Sequence, residues 1–301
     1  MKILLFGKNG QVGWELNRSL LPLGTVVALG RNEADFSDPE SLRKIVREIQ
    51  PDVIVNAVAY TAVDKAEVEE DLANRINGEA PGVLAEEASR IKALLIHYST
   101  DYVFDGSRSG VYKESDVPNP VNVYGHSKLM GEKAIQAAES DYLILRVAWV
   151  YSTRGSNFLL TMLRLLRERE KLSVVNDQFG APTWARLIAE TSAQILARTF
   201  LDRSVGKFNS SVCHMTSAGV ASWYEFANEI REYAHRYAGS GALCEIEPIK
   251  AADYPTRALR PANTRLSIDM LQSRYALFMP DWKSALALCM DDGLSSQLRN
   301  E

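Results

Sequence analysis

Short apolar runs alternate with amphipathic stretches through the first half of the chain. Runs such as "KILLFG", "TVVALG" and "DVIVNAVA" are almost continuously apolar, which is typical of strands buried on both faces. The stretches between them, such as "QVGWELNRSLL" and "PESLRKIVREI", space their apolar residues three or four positions apart, as amphipathic helices do. This alternation predicts an α/β fold: a Rossmann-like, doubly wound parallel sheet with helices on both faces.

The regular alternation of predicted strands and helices ends near residue 150. The second half contains helical stretches such as "WARLIAETSAQILARTF", a short strand and turn in "LSVVNDQFGAPT", and a Pro- and Arg-containing loop in "ADYPTRALRPANTRLS". We therefore predict a first domain over residues 1–150. Residues 151–301 are predicted to form mainly a smaller α/β lobe, partly interleaved with the first domain.

The bulk composition is that of an ordinary globular protein, with 301 residues, 46% hydrophobic residues and 24% charged residues. A net charge of −4 creates no general attraction for nucleic acid or an anionic membrane. Cys213, Cys244 and Cys289 show neither metal-ligand nor disulfide spacing, which suits a reducing compartment. "MKILLFG" is too short for a signal-peptide core, and no apolar run reaches the ~18 residues of a membrane span. We expect a cytoplasmic protein without nucleic-acid or membrane partners.

"GKNGQVG" places Gly7, Gly10 and Gly13 between the first predicted strand and the first helix. Glycines in this context permit a tight turn and close backbone approach to a pyrophosphate, which the helix N-terminus attracts. The spacing differs from the commonest dinucleotide fingerprint. The alternative is a glycine-rich connection without a ligand, but the strand–loop–helix context favours a dinucleotide. Residues 1–150 are therefore predicted to bind NAD(P).

The end of the second strand distinguishes the two nicotinamide cofactors. An acidic residue there bonds the ribose 2′-hydroxyl of NADH, whereas an arginine accommodates the 2′-phosphate of NADPH. Here Gly30 and Arg31 stand at that point, and Asp35 follows five residues after Gly30. The sequence favours NADPH, with NADH as an alternative donor.

"NVYGHSKLMGEKA" begins a predicted helix in which Tyr124 and Lys128 are four residues apart and so share one face. A cation close to a phenol lowers the pKa of the phenol, so this pair could form a proton donor. The alternative is an exposed helix start with two unrelated polar residues. The fourth strand ends in "HYSTDYVFDG", which places Thr100 and Asp101 at the carboxyl end of the sheet, where doubly wound folds bind ligands. "STD" could also be only a strand-ending turn.

Taken together, these motifs resemble the extended short-chain dehydrogenase/reductase superfamily. Within it, "AVDKAE", "STDYVFDG" and "NDQFGAPT" are similar to the dTDP-4-dehydrorhamnose reductase family, and the resembling stretches run from residue 3 to about residue 268. The resemblance implies reduction of the C4 ketone of dTDP-4-dehydro-L-rhamnose to dTDP-L-rhamnose, a step in dTDP-rhamnose and cell-surface polysaccharide biosynthesis.

The resemblance also implies residue roles. Tyr124 would protonate the C4 oxygen, Lys128 would bond the nicotinamide ribose and lower the pKa of Tyr124, and Thr100 would bond the substrate oxygen. The sugar would contact Thr100, Asp101 and Trp149; for Trp149 the alternative is a core tryptophan. The implied cofactor-binding residues are Gly7, Gly10, Gln11, Val12, Arg31, Asp35, Phe36, Ala59, Tyr60, Thr61, Tyr98, Tyr124 and Lys128.

Some expectations stay open. Family members are associated with Mg²⁺ at a subunit contact through glutamates; Glu15 is present, but Arg186 stands where a partner glutamate is expected, so a metal site is doubtful and we predict none. Arg257, Arg260 and Arg265 are candidates for a diphosphate, or simply residues of a solvated loop. A homodimer is one expectation for the oligomeric state.

Four other functions are alternatives from the sequence. A nucleotide-sugar 4,6-dehydratase needs an extra acid after the Thr-Asp pair, where this chain has Tyr102. A 4-epimerase or another nucleotide-sugar 4-ketoreductase is less firmly excluded. A non-catalytic regulatory subunit resembling that of methionine adenosyltransferase would also retain the glycine loop, although the Thr100, Tyr124 and Lys128 set favours an enzyme.

Overall fold

The computed structural model describes residues 1–238 and 244–293. The strands in these residues are β1 (Lys2–Phe6), β2 (Thr25–Leu29), β3 (Val53–Asn56), β4 (Leu94–Thr100), β5 (Asp141–Val147), β6 (Val150–Tyr151), β7 (Lys171–Val175), β8 (Phe179–Gly180), β9 (Thr183–Trp184), β10 (Ser211–His214), β11 (Ala221–Ser222) and β12 (Glu245–Ile249). The α-helices are α1 (Gln11–Ser19), α2 (Pro39–Ile49), α3 (Val63–Ala66), α4 (Glu70–Asn74), α5 (Ala80–Ile91), α6 (Val123–Ala137), α7 (Phe158–Glu168), α8 (Ala185–Ser204), α9 (Trp223–Ala238), α10 (Asp269–Tyr275) and α11 (Trp282–Gly293).

Within the described residues, the central sheet has six strands in the order β10-β5-β4-β3-β1-β2. Every neighbouring pair is parallel; Leu4 of β1, for example, lies between Val27 of β2 and Ile54 of β3. The chain moves from β1 to β2 on one side and then crosses to β3 on the other. This reversal makes the carboxyl ends of β1 and β3 the topological switch point, where such sheets bind ligands. The predicted doubly wound parallel sheet is confirmed.

Helices cover both faces of this sheet. Leu16 of α1 and Ile188 of α8 belong to the hydrophobic cluster on one face. Leu42 of α2 and Leu84 of α5 belong to the cluster on the other face. Because neither face is open to water, the strands can be apolar throughout, and β3 is buried at every position.

A third hydrophobic cluster lies in the C-terminal half. It joins α7, α9 and α11 with β7 and β12, through residues such as Leu159, Phe226 and Trp282. The chain returns to the central sheet with α8, which packs on α1, and with β10, which pairs with β5. A division near residue 150 into a nucleotide-binding domain and an interleaved lobe remains our proposal for the domain organisation.

The long helical stretch predicted between β3 and β4 contains an irregularity. A π-helical turn at Arg75–Glu79 separates α4 from α5. Such turns are rare and often occur at functional sites. Here the turn brings the buried side chain of Asn77 beside the segment that follows β3.

Candidate active site

The glycine loop connects β1 to α1 at the switch point. Gly7 has a φ of 90°, and a Cβ atom there would lie 2.9 Å from the carbonyl oxygen of Ala57, so a side chain would be both strained and crowded. Gly10 is the N-cap of α1, whose first turn contains no acidic residue. The N–H groups of Gln11 and Val12 therefore stand at an uncompensated positive helix end, which fits a pyrophosphate.

The end of β2 places the three residues expected near the adenosine in different environments. Arg31 is exposed, as contact with a 2′-phosphate requires. The Asp35 carboxylate accepts hydrogen bonds from the Ser37 N–H at 2.9 Å and the Ser37 hydroxyl at 2.7 Å; these bonds, and Arg31 nearby, lower the pKa of Asp35. Phe36 is 3% exposed, and its ring packs edge-on against Phe6. The Phe36 ring thus belongs to the core, and the expected place of Phe36 beside the adenosine stays a prediction.

An ion pair that the sequence analysis missed lies beside this position. Lys8, in the glycine loop, pairs with Glu33. The other oxygen of Glu33 accepts the Gly30 N–H at 2.8 Å. A carboxylate therefore does stand at the end of β2, but it is already bound by Lys8 and by the backbone. Nothing in the local spacing distinguishes Glu33 from a solvated charge.

The segment Ala59, Tyr60 and Thr61 follows β3 and so begins at the carboxyl end of the sheet, as the glycine loop does. The Asn77 amide fixes its backbone, because Oδ1 accepts the Tyr60 N–H at 2.8 Å and Nδ2 donates to the Tyr60 carbonyl at 3.1 Å. Nδ2 also donates to the Ser127 hydroxyl of α6 at 3.0 Å. The Tyr60 hydroxyl bonds Glu69, which raises the pKa of Tyr60 to about 12. Asn77, which sequence analysis missed, thus connects the segment after β3 to α6 through hydrogen bonds.

Thr100 ends β4 and lies at the carboxyl edge of the sheet, as predicted. Its hydroxyl donates to Asp101 Oδ1 at 3.0 Å and accepts the Tyr102 N–H at 3.1 Å. Asp101 is only 2% exposed. Burial raises the pKa of Asp101 to about 6, although the hydroxyls of Thr264 and Thr100 oppose the shift. This buried carboxyl group titrates near the pH range in which enzymes work.

The start of α6 is held by contacts from distant parts of the chain. Asn122 is its N-cap: Oδ1 accepts the Gly125 N–H at 2.8 Å, and Nδ2 donates to the Leu259 carbonyl at 2.8 Å. Glu67, from the "AVDKAE" motif, accepts the Val123 N–H at 2.9 Å. These hydrogen bonds fix the first turn of α6, which carries Tyr124.

Tyr124 is half-buried, and its ring contacts Tyr102 edge-on with centroids 5.8 Å apart. Burial raises the pKa of the Tyr124 phenol, while its hydrogen bond with Thr100 lowers it. The prediction that Lys128 lowers this pKa is not met in the structure, where burial dominates and the shift runs upward. Tyr124 and Thr100 are nevertheless brought together as the sequence predicted.

Lys128 lies one turn further along α6 and is only 1% exposed. Its Nζ donates to the Tyr98 carbonyl at 2.6 Å and lies 3.1 Å from His97 Nε2. Burial lowers the pKa of Lys128 to about 7. The Tyr98 hydroxyl donates to Ser192 of α8 at 2.7 Å, and its ring belongs to the core cluster, so its expected place in the cofactor groove stays a prediction. Only the Tyr98 backbone reaches the site.

Trp149 follows β5 with a φ of 46°, a left-handed conformation that is strained for a non-glycine residue. Its indole stacks on Trp223 with centroids 3.6 Å apart and planes 4° from parallel. Phe158 extends this aromatic group, 4.7 Å from Trp223. Gly180 makes room for it, since a Cβ atom there would lie 2.5 Å from the Trp149 ring. Trp223 and Phe158 come from the second half of the chain and carried no sequence signal.

A cavity of about 1040 Å³ opens beside this aromatic group. Tyr102, Phe158, Trp223, Arg257 and Arg260 are among its lining residues. Two of the three arginines expected to meet a diphosphate are thus present. Arg265 is not: its guanidinium bonds Asn263 and the Ser109 carbonyl, and it does not line the cavity. The loop is divided between residues that line the cavity and residues that bond within the protein.

Arg186 lies between two carboxylates at the other end of α1. Its Nε is 3.4 Å from Glu15 Oε2, and its guanidinium also pairs with Asp292. A cation of the chain thus occupies the neighbourhood of Glu15, so these residues do not fit a Mg²⁺ site. In residues 1–238 and 244–293, no three His, Cys, Asp or Glu side chains form a cluster suited to a metal ion.

A family model described as the RmlD substrate binding domain matches residues 1–295. The dTDP-4-dehydrorhamnose reductase of Burkholderia thailandensis is 52% identical over 297 residues, which cover 98% of this chain and 100% of that protein. The chain belongs to the dTDP-4-dehydrorhamnose reductase family. The reductase of the same name from Escherichia coli is 45% identical over 287 residues, covering 94% of this chain and 95% of its own.

A solved structure shows the same architecture. The dTDP-4-dehydrorhamnose reductase of Bacillus anthracis, determined in complex with NADP, is 32% identical and has a TM-score of 0.86, covering 97% of this chain and 99% of that one. The resemblance read from the motifs is therefore confirmed, as is the expectation of an oxidoreductase. Among the described helices, none is both long and apolar enough to span a bilayer.

Proposed function

We propose that this protein uses NADPH to reduce the C4 ketone of dTDP-4-dehydro-L-rhamnose, forming dTDP-L-rhamnose. The observation that carries the proposal is the hydrogen bond of Tyr124 with Thr100 at the carboxyl end of the sheet. Family membership at 52% identity supports the same reaction. Bound in the crevice, the nicotinamide cofactor supplies the hydride, so the chain must orient the ketone and provide one proton.

Tyr124 is the group placed to provide that proton. In the proposed reaction, the hydride reaches the carbonyl carbon while the phenol O–H of Tyr124 protonates the carbonyl oxygen. The Thr100 hydroxyl adjoins Tyr124, and it can bond the same oxygen when its proton turns from Asp101 Oδ1 to the ketone. Burial raises the pKa of Tyr124, which keeps the phenol protonated and ready to donate until the transition state develops negative charge on oxygen.

The cofactor assignment rests on the glycine loop and on the end of β2. The N-terminal turn of α1 would hold the pyrophosphate, and the exposed Arg31 would meet the 2′-phosphate of NADPH. The Bacillus anthracis relative binds NADP. Lys8 adds a second cation close to the end of β2, whereas Glu33 is occupied by that lysine. NADH is retained as an alternative donor.

The cavity next to the aromatic group is the proposed site of the nucleotide part of the substrate. Arg257 and Arg260 supply cations for the diphosphate, and Arg260 is oriented by Asp64 at 2.6 Å. Trp149 and Asp101 are proposed to contact the sugar, since Asp101 adjoins Thr100 and Trp149 comes two residues after Val147, which pairs with Thr100. We further propose that the protein is cytoplasmic and has no nucleic-acid or membrane partners. We also propose that it forms a homodimer, which sedimentation equilibrium would test.

The deciding experiment measures oxidation of NADPH with dTDP-4-dehydro-L-rhamnose for the wild type, Tyr124→Phe and Tyr275→Phe. Tyr275 is a matched control: it is buried in the core near Ser211, at the amino end of β10, so loss of its hydroxyl leaves the site untouched. We expect Tyr124→Phe to lower kcat by about 10²–10⁴-fold with little change in cofactor affinity, the usual effect of losing a positioned acid. The control should remain near the wild-type rate.

Other outcomes would support other functions. Turnover of a different nucleotide sugar, but not of this ketone, would indicate another 4-ketoreductase or an epimerase. Binding of NADPH without turnover of any nucleotide sugar would favour a regulatory subunit such as that of methionine adenosyltransferase. A Tyr124→Phe variant with wild-type kcat would show that Tyr124 is structural.

A further inference from the structure

The segment of residues 152–157 connects β6 to α7 and lies against the first turn of α1, where the pyrophosphate is proposed to bind. Gln11, the first residue of α1, makes the contact: its Oε1 accepts a hydrogen bond from Asn157 Nδ2 at 2.9 Å and lies 3.0 Å from the Ser152 hydroxyl. A Cβ atom on Gly155 would lie 3.5 Å from Gln11 Cγ, an ordinary packing distance. The connecting segment therefore meets both the amide and the aliphatic part of the Gln11 side chain.

The direction of this hydrogen bond follows from the helix that Asn157 caps. Asn157 Oδ1 accepts the Leu160 N–H at 3.1 Å, so Nδ2 is the atom that faces Gln11. An amide nitrogen can only donate, so its partner on Gln11 must be Oε1. Nδ2 also lies 2.9 Å from the Ser152 carbonyl and 3.0 Å from the Arg154 carbonyl. Asn157 thus joins α1, the connecting segment and the start of α7.

Helix α7 continues from this contact to the proposed substrate cavity. Phe158 directly follows Asn157, and its ring lies 4.7 Å from that of Trp223, which stacks on Trp149. The Asn157 carbonyl accepts the Thr161 hydroxyl at 2.8 Å and the Thr161 N–H at 3.1 Å. Phe158, Thr161 and Trp223 all line the cavity. The first turn of α7 is therefore shared between the contact with α1 and the wall of the cavity.

We propose that Gln11 is a positioning residue that couples the dinucleotide site to the nucleotide-sugar cavity, because its side chain holds Asn157 and, through the first turn of α7, the aromatic group. This inference rests on the proposed function. Its consequence is favourable coupling between the two ligands: each binds more tightly when the other is present, and by the same factor.

The sign of the coupling follows from the properties of a helix end. The first N–H groups of α1 have no partner inside the helix, and helix ends fray. A pyrophosphate that accepts from the N–H groups of Gln11 and Val12 would hold this turn, and the Gln11 side chain with it. Asn157 then meets an acceptor that is already in place. Ordering the cavity wall consequently costs less conformational entropy when the nucleotide sugar arrives.

Asn157→Ser separates the contact with Gln11 from the cap of α7. Serine caps a helix about as well as asparagine does, so α7 should still begin at Phe158. The serine hydroxyl is too short to replace Nδ2 at Gln11, so the contact between the two helices is lost. The connecting segment should stay attached to α1, because the Arg154 guanidinium lies over the Trp14 ring, 3.6 Å from its centroid.

Gln11→Leu removes the same contact from the other side. Added to Asn157→Ser, it should weaken the coupling no further, because both substitutions act on one hydrogen bond. Asn228→Ser is the matched control. Asn228 lies on α9, the helix that carries Trp223, and its Nδ2 donates to the Tyr224 carbonyl at 3.0 Å. The control thus makes the same substitution near the aromatic group but away from the contact with Gln11.

Calorimetry measures the coupling factor, which is the Kd of dTDP without NADP⁺ divided by its Kd with saturating NADP⁺. Because dTDP lacks the sugar, direct contact between the sugar and the nicotinamide contributes nothing. We expect a factor of about 3–10 for the wild type and Asn228→Ser, the worth of one hydrogen bond between neutral groups. The factor should fall close to unity in Asn157→Ser. A merely structural role would weaken dTDP binding equally in both states and leave the factor unchanged, which would overturn the proposal.

Hydrogen exchange measures the same connection without any nucleotide sugar. NADP⁺ should slow exchange of the Leu160 and Thr161 amides in the wild type and in Asn228→Ser, but not in Asn157→Ser. Equal protection in Asn157→Ser would show that the order reaches α7 by another route, and would also overturn the proposal.

The two measurements separate this inference from the proposed function. If the ketone is reduced but NADP⁺ does not change the affinity for dTDP in the wild type, the inference fails alone. If dTDP does not bind and no ketone is reduced, while NADP⁺ still protects the first turn of α7 in the wild type and not in Asn157→Ser, the proposed substrate fails and the connection through Gln11 stands.

Discussion

Asp101 should cost the protein stability at neutral pH, and replacing it with asparagine should recover that stability. The carboxyl group is 2% exposed and accepts the Thr100 hydroxyl, and burial raises its pKa from 3.8 to about 6. Asparagine keeps the shape and one acceptor oxygen, so Asp101→Asn removes the charge with little change in packing.

The sign follows from the direction of the shift. Because the folded-state pKa lies above the unfolded value, the folded chain binds the extra proton, and stability from this group is fully present below about pH 4. It is lost as pH rises through about 6. A shift of about two units corresponds to ~3 kcal/mol lost above that window. Water penetration into the site would reduce this figure, so ~3 kcal/mol is an upper value.

The assay is urea unfolding of the wild type and Asp101→Asn, followed by tryptophan fluorescence at about pH 8 and about pH 4.5, on either side of the expected titration. We expect the variant to be more stable than the wild type at the higher pH, and the difference to shrink at the lower pH. The same variant should lose sugar affinity if Asp101 contacts the substrate as a carboxylate. An equal difference at both pH values would refute the assigned titration.

Three further substitutions test other parts of the site. Arg31→Asp should raise the KM for NADPH about 10–100-fold, the worth of a charged hydrogen bond, and that for NADH much less; equal changes would mean that Arg31 does not meet the 2′-phosphate. Gly180→Ala should push the Trp149 indole from its place, because a Cβ would lie 2.5 Å from the ring, and raise the KM for the sugar with the KM for NADPH unchanged. Asn122→Ala should cost ~1 kcal/mol of stability by loss of the N-cap, and it should lower kcat more than Tyr275→Phe does. An unaltered kcat would mean that the N-cap is not needed to position Tyr124.

The fold was predictable because its signal is local and repeated. Most of the buried strands are apolar runs, although β4 ends in the polar residues of "HYST". The helices between the strands space their apolar residues three or four positions apart, so the pattern indicates a doubly wound sheet without any long-range information. The π-helical turn at Arg75–Glu79 was not predictable in this way. The turn positions Asn77, whose side chain contacts Tyr60 and Ser127. These residues are distant in sequence, so the local spacing of apolar residues does not reveal the turn.

The site was predictable where a motif carries its own geometry. Gly7 must adopt a positive φ, and Tyr124 and Lys128 share a helix face, so their spacing conveys their placement. Side-chain direction was less accessible. Tyr98 and Thr100 are two residues apart in β4 and so share one face of a strand that is buried on both sides. Sequence spacing does not say that the Tyr98 ring packs against α8. Trp223 reaches Trp149 only through the tertiary fold.

Hydrogen bonds and an ion pair from distant segments connect the loop that carries Arg257 and Arg260 to α6, the helix that carries Tyr124. Asp64, in the short helix after β3, accepts the Ala258 N–H at 3.0 Å and pairs with Arg260 at 2.6 Å. Asn122 reaches the carbonyl of Leu259, between those two loop residues, while capping the helix that carries Tyr124. The loop that carries the arginines proposed to hold the diphosphate is therefore bonded, through the Leu259 carbonyl, to the N-cap of the helix that carries the proton donor. Binding energy from the remote diphosphate can thus be converted into orientation at the ketone, which is where differential binding raises kcat.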